Sequence, residues 1–101
     1  MKMKRGDTRP DLVIKLTDNG LALDLTEAQQ VRVVGRGVAT FNDTTLDIDA
    51  SSGTITRTWN PGETAKLGRI LVEVEVTWGD STVQSFPPDD FLTVDVVKDL
   101  G

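Results

Sequence analysis

Residues 68–78 restrict the fold of this chain more than any other segment. Apolar side chains occupy every second position from Ile70 to Trp78, and Glu73, Glu75 and Thr77 lie between them. Because successive side chains of a strand point to opposite faces, this alternation predicts a half-buried β-strand. Such a strand needs a second apolar layer to cover it. The segment therefore predicts a packed β-sheet protein and argues against a helical or disordered chain.

Further strand-like segments follow one another along the chain, most of them bounded by turn residues. They lie at residues 12–16, 30–35, 38–41, 46–49, 54–59, 83–86 and 92–96, and residues 21–25 are a short run that is apolar on one side. Asp18, Asn19 and Gly20 form a turn signal, and Pro87 and Pro88 interrupt the ladder before the last strand. Residues 24–28 and 63–66 each suit a single helical turn, the first one capped by Thr26. The spacing is typical of an all-β sandwich of about seven or eight strands.

The chain has the length and composition of one globular domain. It contains 101 residues, of which 38% are hydrophobic, so residues 1–101 are expected to form a single domain with a short basic arm at residues 1–5. No secretion signal or membrane span is predicted. The net charge of −5 disfavours nucleic acid and anionic membranes as partners.

The chain has few residues suited to catalysis, because it has no histidine and no cysteine. A pair of carboxylates could supply an acid and a base, and the sequence offers Asp89 with Asp90, or Glu73 with Glu75. However, the glutamates lie on the solvent face of the predicted strand, and the aspartates follow two prolines in a loop. We therefore expect a protein that is not an enzyme.

Asp43, Asp47 and Asp49 form an acidic group that superficially suggests a calcium site. Asp47 and Asp49 alternate with apolar residues, which places them on the outward side of a strand, and the order of the acids does not match a calcium-binding loop. No metal ion or other cofactor is therefore expected.

The two tryptophans allow two interpretations. Aromatic rings stack on sugars and anchor protein interfaces, so Trp59 and Trp78 could form a platform for carbohydrate. Trp78 is in phase with the apolar face of residues 68–78, which favours a place in the core. Trp59 has polar neighbours and precedes a turn, and it is kept as a candidate docking residue.

The basic N-terminal segment contrasts with the acidic remainder of the chain. Lys2, Lys4 and Arg5 are three of only eleven basic residues. One interpretation is an arm that reaches the acidic surface of a neighbouring subunit and steers assembly. The other is a solvated tail or a first strand that pairs with a sheet.

Turn residues in a particular order carry a resemblance to a known family. They lie at residues 5–10, 16–20 and 24–26, at Gly53 and Trp59, at residues 62–64, at Gly68, and at Phe86 with Pro87. In this order and spacing, they resemble the N-terminal immunoglobulin-like domain of the phage baseplate upper protein family. The resemblance covers nearly the whole chain, although longer members of that family continue into a helical or receptor-binding part.

The resemblance implies an immunoglobulin-like β-sandwich that acts as a structural and docking module of a bacteriophage virion. Its location would be the tail or baseplate, after synthesis in the cytoplasm of the host bacterium, and its partners would be other virion proteins or further copies of itself. A capsid decoration protein and a carbohydrate-binding module are the alternatives. Candidate docking residues are Lys2, Lys4, Arg5, Trp59, Pro87, Pro88, Asp89 and Asp90.

Overall fold

The computed structural model describes residues 1–88 and 90–100, and these residues form an all-β fold without helices. The eleven strands are β1 (Lys2–Lys4), β2 (Leu12–Lys15), β3 (Thr17–Asp18), β4 (Leu21–Ala22), β5 (Ala28–Gly37), β6 (Phe41–Asp43), β7 (Asp47–Asp49), β8 (Thr54–Arg57), β9 (Gly68–Trp78), β10 (Val83–Phe86) and β11 (Leu92–Val97). The predicted number of seven or eight strands is therefore wrong. Several strands, such as β1, β3 and β4, have only two or three residues, which is too short for a periodic pattern to reveal them.

The larger sheet is built around β9, the strand with the clearest alternation in the sequence. Its strand order is β1-β11-β9-β5-β6, and β10 also pairs with β9. β5 lies along one edge of β9, whereas β11 and β10 divide the other edge between them. These pairings are antiparallel, except that β1 runs parallel to β11. The apolar face of β9 is therefore held in the middle of the sheet.

The smaller sheet has the order β2-β8-β7, and β3 and β4 form a separate hairpin. The predicted hairpin between residues 46–49 and 54–59 is present as β7 and β8. In the β3–β4 hairpin, Asn19 and Gly20 have φ values of 52° and 80°. Two consecutive left-handed residues characterise the type I′ turn, which Asn-Gly favours, and the turn predicted at Asp18 to Gly20 is confirmed.

One apolar core joins the two sheets. The side chains with 0% exposure are Val33, Ile55, Ile70, Val72, Val74 and Val76. They come from β5, β8 and β9, and Leu12 and Ile14 of β2 belong to the same cluster. The predicted apolar face of residues 68–78 is confirmed, since Ile70 to Val76 are buried at every second position.

Two local predictions need correction. Residues 26–27 and 61–64 form turns, not helical turns, and Thr26 donates its backbone N–H to Asp24 Oδ1 at 2.9 Å. The strand predicted at residues 38–41 begins only at Phe41. Gly37 has a φ of 134°, and a Cβ there would lie 2.1 Å from the carbonyl oxygen of Arg69. A side chain at residue 37 would therefore clash with β9, and this glycine lets the chain turn away between β5 and β6.

Residues 1–5 include a strand and do not form a free arm. β1 pairs with β11 in the register Lys2–Asp95, Met3–Val96 and Lys4–Val97. Met3 is only 3% exposed and belongs to the core. The sequence left open a docking arm, a solvated tail and a first strand that pairs with a sheet. The structure shows the paired strand.

Candidate docking surface

Two of the three predicted basic residues lie on the outer edge of the larger sheet. Lys2 and Lys4 are exposed and flank the buried Met3. Arg5 is committed to an ion pair within the chain, since its Nη2 lies 2.8 Å from Asp99 Oδ1. The basic segment therefore offers two lysine side chains to a partner, and its arginine helps to hold β1 in place.

One acidic side chain of β11, Asp95, lies beside this basic edge. Asp95 accepts a hydrogen bond of 2.8 Å from Arg69 Nε. This bond holds the pKa of Asp95 below its ordinary value, with smaller contributions from the positive charges of Arg69, the N-terminus and Lys2. Part of the positive charge of β1 is thus balanced by the chain itself.

The segment between β10 and β11 carries the remaining predicted docking residues. Phe86 is buried, Pro87 is half-buried, and Pro88 and Asp90 are exposed. Asp89 lies outside the described residues. The Asp90 carboxylate accepts a hydrogen bond of 2.8 Å from the backbone N–H of Phe91, whose side chain is 48% exposed. This segment therefore ends on an aromatic ring at the surface.

Phe91 lines a groove on the outer face of the larger sheet. The groove has a volume of about 160 Å³ and is lined by Val34, Arg36, Leu71, Glu73 and Phe91, which we call the Phe91 groove. Leu71 is 39% exposed on β9, so two large apolar side chains are accessible there. Arg36 and Glu73 bring opposite charges to its lining. An apolar centre with polar neighbours is the usual anatomy of a protein interface.

Trp59 does not belong to this surface, and its prediction as a docking residue is wrong. It is 2% exposed and packs its ring edge-on against Phe41, with the two ring centroids 5.9 Å apart. Trp78 is only half-buried, and its Nε1 donates to Gln84 at 3.1 Å. Because Trp59 is covered, the two tryptophans do not present a common face on which a sugar ring could stack.

Trp59 is buried beside a charged cluster that the sequence did not predict. The guanidinium of Arg57 lies 3.7 Å from the ring centroid of Phe41 and 5.4 Å from that of Trp59. Its Nε is 2.6 Å from Asp43 Oδ2, and its Nη2 is 2.6 Å from Glu63 Oε2. Arg57 itself is only 2% exposed. Two carboxylates and two aromatic rings therefore enclose one buried cation.

The electrostatics of this cluster keep it charged. Burial alone would lower the pKa of Arg57, but hydrogen bonds to Glu63 and Asp43 outweigh that effect, so this pKa is raised above its ordinary value. Burial alone would raise the pKa of Glu63. Hydrogen bonds from Arg57 and the Asn60 backbone N–H outweigh this effect and hold the pKa below its ordinary value. The cluster is a structural ion network that connects β6, β8 and the turn after β8.

Arg57 could have been found from a signal in the sequence. Along β8 it is two residues after Ile55 and two before Trp59, so all three belong to one face of the chain. A charged residue in phase with buried apolar ones indicates a buried cation that needs partners. Its partners Asp43 and Glu63 lie 14 and 6 residues away, and local patterns do not reveal them.

The other acidic candidates are engaged or dispersed. Glu75 forms an ion pair with Arg32 on β5. Asp43 is held by Arg57, whereas Asp47 and Asp49 are exposed on β7. Within residues 1–88 and 90–100, no group of three or more acidic side chains has the arrangement of a metal site.

Comparison of the chain with protein-family models, with curated proteins and with solved structures found no match. A functional assignment therefore depends on the motif resemblance and on the surfaces described above. Within the part of the chain that the structure describes, no helix has the length and apolar character needed to cross a membrane.

Proposed function

We propose that the chain is a non-enzymatic immunoglobulin-like module that docks onto other proteins of a bacteriophage virion, in the tail or baseplate. The observation that carries this proposal is the Phe91 groove, an accessible apolar surface with charged neighbours on the outer face of the larger sheet. The sequence resemblance supplies the kind of partner, namely neighbouring virion proteins.

The strand order supports an immunoglobulin-like sandwich. Immunoglobulin domains place strands D, E and B in one sheet and strands C, F and G in the other, with C′ added beside C in variable domains. When the strands are lettered in the order in which they follow along the chain, the sheet β7-β8-β2 has the order D-E-B. The sheet β6-β5-β9-β11 then has the order C′-C-F-G. The β3–β4 hairpin is an addition between strands B and C. A rigid sandwich of this kind suits a docking role, because its faces keep a fixed shape when a partner binds.

Several exposed features surround the Phe91 groove and support docking there. Pro88 and Asp90 lie on the segment that leads into Phe91, and Arg36 and Glu73 line the groove. Aromatic and arginine side chains are enriched at interfaces, where a few central residues supply most of the binding free energy. The partner surface is therefore expected to insert an apolar side chain between Leu71 and Phe91.

Phage particles test this proposal directly. Particles are assembled in cells that carry the wild-type gene, the variant Leu71→Asp or the control Leu71→Val, and their protein content is measured by quantitative mass spectrometry. We expect Leu71→Asp to reduce incorporation about tenfold or more, because a charge in an apolar contact costs at least ~1.4 kcal/mol. Leu71→Val should incorporate nearly as well as the wild type.

Fractionation of the same particles distinguishes the alternatives. Recovery of the chain with purified tails supports the tail or baseplate role, and recovery with empty capsids supports head decoration instead. Complete absence of the chain from purified particles would contradict the virion role. Thermal unfolding of both variants serves as the folding control.

A further inference from the structure

β2 is an edge strand of the smaller sheet with one accessible side. It pairs with β8 only, and within residues 1–88 and 90–100 no strand pairs with its other side. Leu16 donates its N–H to the carbonyl of Gly53, on the β8 side. Because backbone polar groups alternate along an antiparallel strand, those of Val13 and Lys15 point away from β8. Unpaired groups of this kind are a template for a further strand.

Space for another strand exists beside β2. One groove of about 340 Å³ is lined by Met1, Phe91 and residues 12–14 and 92–94. A second groove of about 150 Å³ is lined by residues 14–17, by residues 86–88 and by Leu92. Both follow β2, and Val13 is 60% exposed between them. The accessible side of β2 is therefore apolar as well as rich in free backbone groups.

The charges of β2 distinguish it from two other edge strands, β1 and β7. If a strand pairs antiparallel with a copy of itself about its central residue, residues equally far from the centre lie opposite each other. About Met3, β1 would place Lys2 against Lys4, and about Ile48, β7 would place Asp47 against Asp49. Like charges directly opposite are destabilising, so these two edges resist self-pairing.

About Val13, the same operation places Asp11 of one copy opposite Lys15 of the other, twice. Opposite charges at such positions stabilise a strand pair. The backbone groups of Val13 and Lys15 point away from β8, and Asp11 directly precedes the strand. The exposed side chains of Val13 and Lys15 lie on the outer face of the sheet, while the buried Leu12 and Ile14 lie on the inner face. Charge, backbone direction and apolar side chains thus favour the same arrangement.

We propose that two copies of this chain associate through β2, in an antiparallel pair centred on Val13. The two three-stranded sheets then form one continuous sheet in the order β7-β8-β2-β2-β8-β7. The contact is related by a two-fold axis, which is the commonest symmetry of homodimers. This inference does not depend on the phage role, because it is argued from the edge of β2. Phe91 lines both the Phe91 groove and the larger groove beside β2, whereas the other residues of the Phe91 groove lie away from β2.

Cysteine cross-linking tests the register. The native chain has no cysteine, so Val13→Cys introduces a single thiol. In the proposed dimer, the two Val13 Cα atoms are about 5.5 Å apart, within the range of a disulfide. The two copies of Lys15 are separated by roughly 13 Å along the strands, which is too far. We expect Val13→Cys to form a disulfide-linked dimer under mild oxidation, and Lys15→Cys alone to remain monomeric on a non-reducing gel.

A mixture of two variants provides a sharper comparison. Asp11→Cys and Lys15→Cys should each fail to cross-link alone and should form a mixed disulfide when combined, because residues 11 and 15 are directly opposite. Equal cross-linking of Val13→Cys and Lys15→Cys would indicate random collisions and would overturn the proposed register.

Exchange of the charges at residues 11 and 15 tests whether these residues lie opposite each other in the dimer. Sedimentation equilibrium measures the dissociation constant of each variant. Asp11→Lys alone and Lys15→Asp alone place like charges opposite each other, and each should weaken dimerisation about tenfold. The double variant Asp11→Lys with Lys15→Asp restores opposite charges and should recover the wild-type dissociation constant within about threefold. Circular dichroism confirms that each variant is folded. A wild-type chain that stays monomeric up to about 1 mM would overturn the dimer itself.

Discussion

The core beneath β9 and the cluster around Arg57 are both buried, yet they are stabilised in opposite ways. Val72 and Val74 have 0% exposure and belong to the apolar core cluster. Arg57 has 2% exposure and depends on two carboxylates and two rings. In the first region, each residue is buried because its side chain points to the apolar face of β9. In the second, burial is tolerated only because distant segments supply partners.

Val74→Asp is expected to have the largest effect. It places a carboxylate with no partner at the centre of the apolar region, and the free energy of unfolding should fall by more than about 4 kcal/mol. Urea denaturation followed by tryptophan fluorescence measures this change. An unchanged midpoint would contradict the apolar character of the region beneath β9.

Arg57→Ala is expected to have the next largest effect on stability, because it leaves the carboxylates of Asp43 and Glu63 without their cation. We expect a loss of about 3 kcal/mol in the free energy of unfolding. Arg57→Met keeps much of the volume and serves as the matched variant for packing. If both variants were as stable as the wild type, the ion network would contribute nothing to the fold.

Glu63→Gln tests the electrostatic part of the cluster through its pH dependence. The folded-state pKa of Glu63 lies below its ordinary value of 4.5. The ionised group therefore stabilises the fold above about pH 4.5, and that contribution is lost as the pH falls through the lowered pKa. We expect Glu63→Gln to cost about 1–2 kcal/mol at pH 7. The difference in melting temperature from the wild type should shrink between pH 6 and pH 3. A difference that stays constant over this range would show that the charge of Glu63 is not what stabilises the cluster.

Glu75→Val is expected to have the smallest effect and is the neighbouring control for Val74→Asp. Glu75 is half-buried on the opposite face of β9, where it forms an ion pair with the partly exposed Arg32. Loss of such a pair should change the free energy of unfolding by no more than about 1 kcal/mol. Differential scanning calorimetry would detect it. An effect as large as that of Val74→Asp would remove the distinction between the two faces.

The features that sequence alone predicted are those fixed by neighbouring residues. β9 follows from its own alternation, and the turn at Asn19 and Gly20 follows from the left-handed conformation that these two residues tolerate. Periodicity placed Val74 in the core for the same reason. Such features need no information about the rest of the fold.

The features that sequence reasoning missed depend on distant partners. The polar neighbours of Trp59 indicate a surface position, although Phe41 and Arg57 cover its ring. For Lys2 to Lys4, the sequence leaves open a solvated tail or a first strand that pairs with a sheet, and only the distant β11 decides between them. The Phe91 groove likewise requires β5, β9 and the start of β11 to meet, which no local pattern specifies.

The parallel pairing of β1 with β11 also determines how the domain would respond to mechanical force. Because the two strands run in the same direction, residue 1 lies at one end of the ladder and residue 98 lies at the other end. Tension applied between residues 1 and 100 would pull the strands past each other, and the hydrogen bonds of the ladder would share the load. An antiparallel pair at the same place would instead open one bond after another. The ion pair between Arg5 and Asp99 lies just beyond this ladder and adds a further link that must break before the strands separate.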